Sequence, residues 1–342
     1  MMNVKDFWYV VAESRELKKK DQVLARKVMG EWLAVFRDEN GEVVIMQDRC
    51  KHRAAQLSRG KVCHGQLQCP YHGWVYDKEG QVVAVPSEGD NFKQTKSRRG
   101  HTFLACEKDD YIYVCLSESG ETKEEPFVMR HYKEKGWNTI RLINRFDNNV
   151  TNCVENFIDI PHTVYVHPGI FRNPRKQQID VDVQRIDGAV KASYLNETDN
   201  FGWFSKLLNS EGSGISHTDE FFMPNVSCVE YIFGPKRHFI ITSQSIPLEN
   251  DETLVYTDLT YNYGIWNKLA APIIRWQGQA IIDQDIDALA NQMEVIKKYG
   301  SDFSNTSNDV IHVWVESIQK EIEEGRDPRL LPERNKRTTM LV

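Results

Sequence analysis

From Trp8 to about Cys115 the chain alternates short apolar runs with turn residues: WYVVA, EWLAVFRD, EVVIMQ, WVYD, QVVAVP, TFLACE and YIYVCL. Glu39-Asn40-Gly41-Glu42 and Asp77-Lys78-Glu79-Gly80 punctuate these runs, and short strands at such spacing predict a small antiparallel β domain. Ser117 to Pro126, acidic and without a large apolar residue, is the predicted boundary, dividing the chain into residues 1–120 and 121–342. Beyond it the pattern changes. Asn152 to Ile160 predicts a helix, and the prolines and glycine of the following HPGIFRNPRKQ predict a loop. Strands are predicted over Ile179 to Tyr194 with a turn at Asp187-Gly188, and over Leu254 to Tyr263. Between these, Ser227 to Phe233 leads through Gly234-Pro235 into His238 to Ile246. Asn196 to Glu220, rich in Ser, Gly, Asn and Asp, reads as a long loop, either an active-site cover or a surface excursion. Trp266 to Lys298 is the longest predicted helix, interrupted near its start by Pro272, and Gly325 to Val342 reads as a surface arm or an intersubunit contact.

Composition narrows the class. The chain has 342 residues, 40% hydrophobic and 27% charged, ordinary for a soluble protein with a large core. A formal net charge of -6 leaves no broad basic surface for phosphates, so nucleic acid is not an expected partner. No stretch approaches the roughly 18 apolar residues of a membrane span. The opening MMNVKDFWYVVAESRELKKKD lacks the apolar core of a signal peptide, so a cytoplasmic location is expected. Seven cysteines, an odd number without a secretory signal, point to reduced thiols or metal ligands.

Cys50-Lys51-His52 and Cys69-Pro70-Tyr71-His72 carry the first candidate chemistry. Two Cys-His pairs on separate loops can hold a 2Fe-2S cluster with two thiolates on one iron and two imidazoles on the other, which raises its potential above that of an all-cysteine cluster. Tetrahedral zinc takes the same donors, but zinc fingers place both cysteines first. Here the types alternate, and Gly65, Pro70 and Gly73 suit two tight loops; Cys63 and His64 read as filler. The second candidate is NCVENFIDIPHTVYVH, where His162 and His167 follow Asn156 and Asp159 in an apolar segment. Such groups need partners when buried, and hydrogen bonds in a half-buried helix would serve as well as a metal.

CKHRAAQLSRG followed by QCPYHGWVYDKEG resembles the signature of the Rieske non-haem iron oxygenases, the large-subunit family of aromatic-ring hydroxylases and oxidative demethylases. Lys51 departs from the usual apolar, proline or small polar residue, and Ala54 from a frequent glycine. The resemblance implies an α+β fold, with an N-terminal Rieske antiparallel β domain and a catalytic domain whose antiparallel sheet wraps on helices in a helix-grip, START-like manner. It implies a Rieske 2Fe-2S cluster on Cys50, His52, Cys69 and His72, and a mononuclear Fe(II) on two histidines and a carboxylate. The motif matches His162 and His167 as ligands. Asn156 matches a position near the iron, where it bonds a ligand or water, with helix packing as the alternative.

For the third ligand, Ile281 to Asp287 offers three carboxylates on one predicted helix. Ile282, Ile286, Leu289, Met293 and Ile296 share one stripe; Asp285 lies on its edge, whereas Asp283 and Asp287 point away toward solvent. The family's third ligand sits in a similar acidic run, which selects the same Asp285. Asp159 stands near the helical face of His162 and can hydrogen-bond its imidazole. In the family this aspartate also reaches a cluster histidine of the adjacent subunit, at the position matched by His72, and forms the electron bridge. Pro161 is placed to end the helix. His64, His101, His131, His217, His238 and His312 lack a carboxylate or cysteine at ligand spacing and read as ordinary residues, with His217 and His238 flanking the predicted substrate strands. Phe221, Phe222, Tyr231, Phe233 and Phe239 build core and, in part, pocket.

The compact length is similar to the monooxygenase and demethylase branch built of one subunit type. A homotrimer is therefore implied, with O2 as co-substrate, a small to medium organic substrate, and electrons from a separate NAD(P)H-dependent reductase or ferredoxin. Two other readings compete: a non-catalytic Rieske electron carrier fused to a ligand-binding module, and a zinc-stabilised binding protein.

Overall fold

The computed structural model describes residues 2–19, 21–168, 178–195, 197, 215–234 and 237–341. The chain folds as two compact units, Asn3–Val128 and Met129 onward. The boundary falls later than position 120 because the acidic stretch is tied to the first unit. The Trp8 indole N–H donates to the Glu124 carbonyl at 2.7 Å, and Lys108 Nζ donates to the Pro126 carbonyl at 3.0 Å.

The first unit contains β1 (Trp8–Glu13), β2 (Leu24–Val28), β3 (Glu31–Arg37), β4 (Val43–Gln47), β5 (Lys61–Cys63), β6 (Gln66–Gln68), β7 (Val75–Tyr76), β8 (Val82–Ala84), β9 (Thr102–Lys108) and β10 (Tyr111–Cys115). Its six-stranded sheet runs in the order β1-β10-β9-β4-β3-β2, and a smaller one runs β5-β6-β7-β8. Turn residues do what their chemistry allows: Gly41 and Gly80, at φ of 85° and 79°, close the two predicted turns. The loop after β4 and the loop between β6 and β7 present the two Cys-His pairs.

The second unit contains β11 (Asn138–Phe146), α1 (Val150–Phe157), α2 (His162–Val166), β12 (Gln178–Ile186), β13 (Ala189–Leu195), β14 (Ile215–Phe222), β15 (Val226–Phe233), β16 (Arg237–Glu249), β17 (Glu252–Asn262), α3 (Asn267–Tyr299), α4 (Val310–Glu323) and β18 (Arg334–Leu341). The strands form one antiparallel sheet, β11-β17-β16-β15-β14-β13-β12-β18. α3 packs on β11 and β17, and α4 on β12 and β13, so helices cover the sheet in an α+β arrangement. In β12 the period-two alternation is plain: Ile179, Val181 and Val183 are buried between exposed or half-buried neighbours.

Several expectations change. Asn196 to Glu220 is not all loop: β14 begins at Ile215 and is central in the sheet, whereas residues 198–214 lie outside the described residues, as do 169–177 of the predicted HPGIFRNPRKQ loop. Gly325 to Val342 is not a free arm, since β18 completes the sheet by pairing with β12 from Gln178↔Leu341 to Arg185↔Arg334. Its charged residues stay exposed and only Met340 is buried, as suits an edge strand. Pro272 does not interrupt α3, which runs continuously for 33 residues with the proline in its second turn. The predicted helix over Asn152 to Ile160 stops at Phe157, and Pro161 caps the start of α2 rather than ending α1.

Candidate metal centres and substrate cavity

In the first unit Cys50 and Cys69 are buried, while His52 is half-buried and His72 exposed. The loops are pinned by their own backbones. Ala54 N–H donates to the Cys50 carbonyl at 2.9 Å, and Gly73 N–H to the Cys69 carbonyl at 3.2 Å. Ala54 is left-handed at φ 57°, which explains why glycine suits this position; alanine there costs roughly 1–2 kcal/mol of local strain. The rings of His52 and His72 meet at 4.5 Å, and His52 stacks on Trp74 at 4.8 Å with an interplanar angle of 2°. Tyr76 hydroxyl accepts from Lys51 N–H at 2.9 Å and lies 3.1 Å from Cys50 Sγ. A cluster-bound Cys50 thiolate has no proton to give, so in that state the Tyr76 hydroxyl is the donor to the sulfur. Burial raises the Cys69 thiol's pKa.

These donors fit a 2Fe-2S cluster. His52 Nδ1 is buried without a hydrogen-bond partner, and two thiols and two imidazoles are the donor set for two chemically distinct irons, with the thiols deep and the imidazoles nearer the surface. Cys63, exposed, ends β5, and His64 sits in the turn to β6; all seven cysteines are free.

The second unit brings His162, His167 and Asp285 together, with one donor atom from each inside 4.8 Å. Each comes from a different local cause. His162 opens α2, His167 caps it, and Asp285 is buried on the apolar stripe of α3 beside Ile282 and Leu289, whereas Asp283 and Asp287 are exposed. Asp285 Oδ1 lies 3.1 Å from His167 Nε2 and 3.6 Å from His162 Nε2 but forms no hydrogen bond with either. Three lone-pair donors converge on a point that no hydrogen bond fills, which fits a divalent metal.

The imidazoles are turned by their other nitrogens. His167 Nδ1 is 2.7 Å from Gln284 Oε1, an acceptor only, so Nδ1 carries the proton and Nε2 faces the triad. His162 Nδ1 lies 3.3 Å from Asp159 Oδ2. This contact arises from a turn, not from a shared helical face: Asp159 follows the end of α1, and its carboxylate accepts the His162 backbone N–H at 3.2 Å. Asp159 Oδ1 is also 3.6 Å from His312 Nε2 on α4, and His312 Nδ1 is 3.9 Å from Glu155 Oε2. His312 is therefore no ordinary core residue.

Electrostatics favour a cation here. Burial alone would depress the His162 pKa, but Asp159 and Asp285 outweigh it and raise it to about 9. Burial pushes Asp159 and Asp285 upward, yet both are held low, Asp159 by His162 and His312 and Asp285 by His162 and His167. Glu155 lacks such compensation; burial, only partly offset by His312, lifts it to about 7.

Asn148 fixes the relation of α1 to α3. It is fully buried, and its amide donates to the Leu289 carbonyl at 2.8 Å and to Gln292 Oε1 at 2.9 Å, while its oxygen accepts from Asn152 Nδ2 at 2.8 Å. The triad opens on a cavity of about 140 Å³, several times the roughly 30 Å³ of one water. Its wall is mostly apolar, with Phe157, Ile160, Tyr231, Phe233 and Phe239 among its residues; Asn156 also lines it, with a buried Nδ2 that makes no hydrogen bond.

A cluster-binding β domain in one unit, and in the other two histidines and a carboxylate at the end of an apolar cavity, define an iron-dependent oxygenase. Comparison with known families agrees. The profile described as the vanillate O-demethylase oxygenase C-terminal domain matches residues 146–319, just over half of the 342-residue chain, and the one described as a Rieske 2Fe-2S domain matches residues 7–98. The chain belongs to the Rieske non-haem iron oxygenases.

Among curated proteins it is similar to the methylxanthine N1-demethylase NdmA of Pseudomonas putida, 29% identical over 243 residues, covering 66% of this chain and 69% of that protein. It is also similar to the oxygenase component of dicamba O-demethylase from Stenotrophomonas maltophilia, 31% identical over 197 residues and 56% of each chain. The fold matches that of Pseudomonas putida CBB5 NdmA with caffeine, with a TM-score of 0.81, 22% identity and 97% of both chains covered. These relationships make the chain a Rieske-type oxygenase rather than a non-catalytic electron carrier, and the Rieske match favours the iron-sulfur reading over zinc.

Proposed function

We propose that the chain is the oxygenase component of a monooxygenase system, hydroxylating or oxidatively demethylating a small to medium organic substrate. The observation that carries this is the convergence of His162, His167 and Asp285 at the end of an apolar cavity. In this reading Cys50, His52, Cys69 and His72 hold the Rieske cluster, and His162, His167 and Asp285 hold Fe(II). When bound, the cluster supplies single electrons and the iron activates O2.

The remaining roles belong to the chain. Gln284 holds the proton on Nδ1 of His167, and the Asp159 carboxylate, 3.3 Å from His162 Nδ1, favours a proton there by its charge, so both Nε2 atoms are left to face inward. The apolar wall orients the substrate and excludes water. Asn156, whose amide donor is unused and buried at the cavity, is placed to bond a water or the substrate beside the metal. Asp159 is the electron bridge, receiving its partner from the His72 loop of a neighbouring subunit in a homotrimer. A separate NAD(P)H-dependent reductase or ferredoxin, with the oxygenase in the cytoplasm, completes the system. No described helix is long and apolar enough to cross a membrane.

The test is an iron count with visible and EPR spectra on anaerobically purified, dithionite-reduced protein. About three irons per chain and a Rieske-type signal are expected from one cluster and one mononuclear site. Colourless protein carrying zinc would refute the reading.

A further inference from the structure

The sheet turns a largely apolar face to the cavity, and a pair of hydroxyls interrupts it. On β16 and β17 alternation brings Phe239, Ile241 and Ser243, and Thr257 and Leu259, to the cavity wall. Ile241 stands between Val229 and Leu259 in an apolar row, whereas Ser243 pairs with Thr257 in the next. Both strands are interior to the sheet, and the two side chains are only 2% and 4% exposed. Alanine and valine would fill the same space with no hydroxyl to desolvate.

The two hydroxyls carry two protons. Ser243 Oγ and Thr257 Oγ1 lie 3.3 Å apart, long for such a pair, so one proton is spent between them and weakly. The other has no acceptor among the described residues, since neither oxygen makes a further hydrogen bond and Ser227, opposite Ser243 on β15, makes none with it. Other polar groups around the cavity are provided for. Thr163 donates its hydroxyl proton to the Ile160 carbonyl at 2.7 Å. Asp219 has both oxygens engaged, Oδ1 with His217 Nε2 at 2.9 Å and Oδ2 with the Tyr194 hydroxyl at 2.8 Å, and His217 Nδ1 lies 2.8 Å from Glu197 Oε2. An O–H buried in an apolar wall is costly until an acceptor meets it, and the unbonded Asn156 Nδ2 in the same cavity is also a donor. A carbonyl oxygen accepts such a proton and brings none of its own to be paired.

We infer that Ser243 and Thr257 are specificity-determining residues of the substrate cavity, and that they select molecules presenting a carbonyl-type oxygen to the sheet, as a ketone, ester or amide does. This deepens the proposed oxygenase function and rests on it, because it takes this cavity to be the substrate site. A site built around an unpaired donor rejects an analogue that lacks the acceptor.

The test is equilibrium dialysis of the metal-loaded enzyme under argon with acetophenone and with α-methylstyrene, in which a methylene group replaces the carbonyl oxygen at nearly the same shape. The enzyme is compared with the Ser243→Ala/Thr257→Val double variant. The inference expects the ratio of acetophenone to α-methylstyrene affinity to fall about tenfold in the double variant. Either single variant keeps most of the preference, because the remaining hydroxyl still has a proton to give. Removing both partners of a buried pair leaves the melting temperature equal or higher. A ratio within about twofold of the unaltered enzyme overturns the inference, the outcome expected if the hydroxyls hold only water. Absence of saturable acetophenone binding overturns it too. So does a double variant that melts lower or fails to fold, since the hydroxyls would then serve the sheet. Binding is read without turnover, so a wrong oxygenase assignment shows itself separately in the iron count and EPR spectrum.

Discussion

Gln284 is the residue through which the metal site is most directly tested. In the Gln284→Leu variant the Nδ1–H of His167 loses its acceptor at 2.7 Å, and the ring, only 1% exposed, has little access to water as a replacement. The metal-free protein can escape the loss by moving the proton to Nε2, where Asp285 Oδ1 waits at 3.1 Å. Metal binding needs that nitrogen bare, so it must return the proton to Nδ1, now facing a hydrocarbon. An unsatisfied buried N–H costs roughly 1–3 kcal/mol, and here the cost falls on the metal-bound state alone. Affinity for the mononuclear metal is expected to drop about 10–100-fold, the range typical for losing such a partner. Gln284→Glu, which offers a stronger acceptor, should move affinity the other way. Anaerobic titration of enzyme stripped of its mononuclear metal with Co(II), in competition with a chelator, reads both variants, and unchanged Rieske absorbance controls for folding. A Leu variant within about twofold of the unaltered affinity would refute the tautomer argument.

Three other outcomes follow from the geometry. Asp159→Asn keeps the inward Nε2 atoms and both iron sites but slows electron arrival; single-turnover rates equal to those of the unaltered protein would remove Asp159 from the path. Tyr76→Phe deletes the hydroxyl 3.1 Å from Cys50 Sγ, which favours the more negative reduced cluster, so the potential should fall by about 40 mV for each kcal/mol of that hydrogen bond, as read by redox titration. Glu155 is raised from 4.5 to about 7, so the folded state holds its proton more tightly than the unfolded chain. Its contribution is complete below about pH 4.5 and is lost as pH rises through 7, on the order of 3 kcal/mol in all, so Glu155→Gln should flatten the fall in melting temperature over this window.

Local chemistry was legible in the sequence and distant partnership was not. The Cys-His pairs lie in two short loops, so their spacing alone carries them. Asp285 could be separated from Asp283 and Asp287 because a long helix makes one apolar stripe, and the acid on its edge is the buried one. Asp159 and His162 were placed on one helix, yet they meet because α1 ends early and a turn folds the carboxylate back. Gln284 meets His167, and Asn148 meets Leu289, across chain separations of 117 and 141 residues, which no periodicity encodes. His312 was hidden for the same reason. His217 had a usable signal: Asp219 lies two positions on in the same strand and so shares its face, although Glu197 had none. The strand Arg334–Leu341 escaped because an exposed edge needs only one buried apolar residue to stay in register.

Gln284 and Asp285 are neighbours on one helix, and they stand at opposite nitrogens of a single ring, so His167 sits as in a calliper whose jaws cannot move apart. The same rigid helix presents Gln277, Gly278, Ile281 and Ile282 to the cavity, and at Gly278 it approaches the sheet so closely that an added Cβ would lie 2.6 Å from Leu259 Cδ1. A molecule that shifts this helix from the cavity side therefore shifts both jaws at once. For such a molecule, occupancy of the cavity and metal affinity are linked quantities, each altering the other by the same factor.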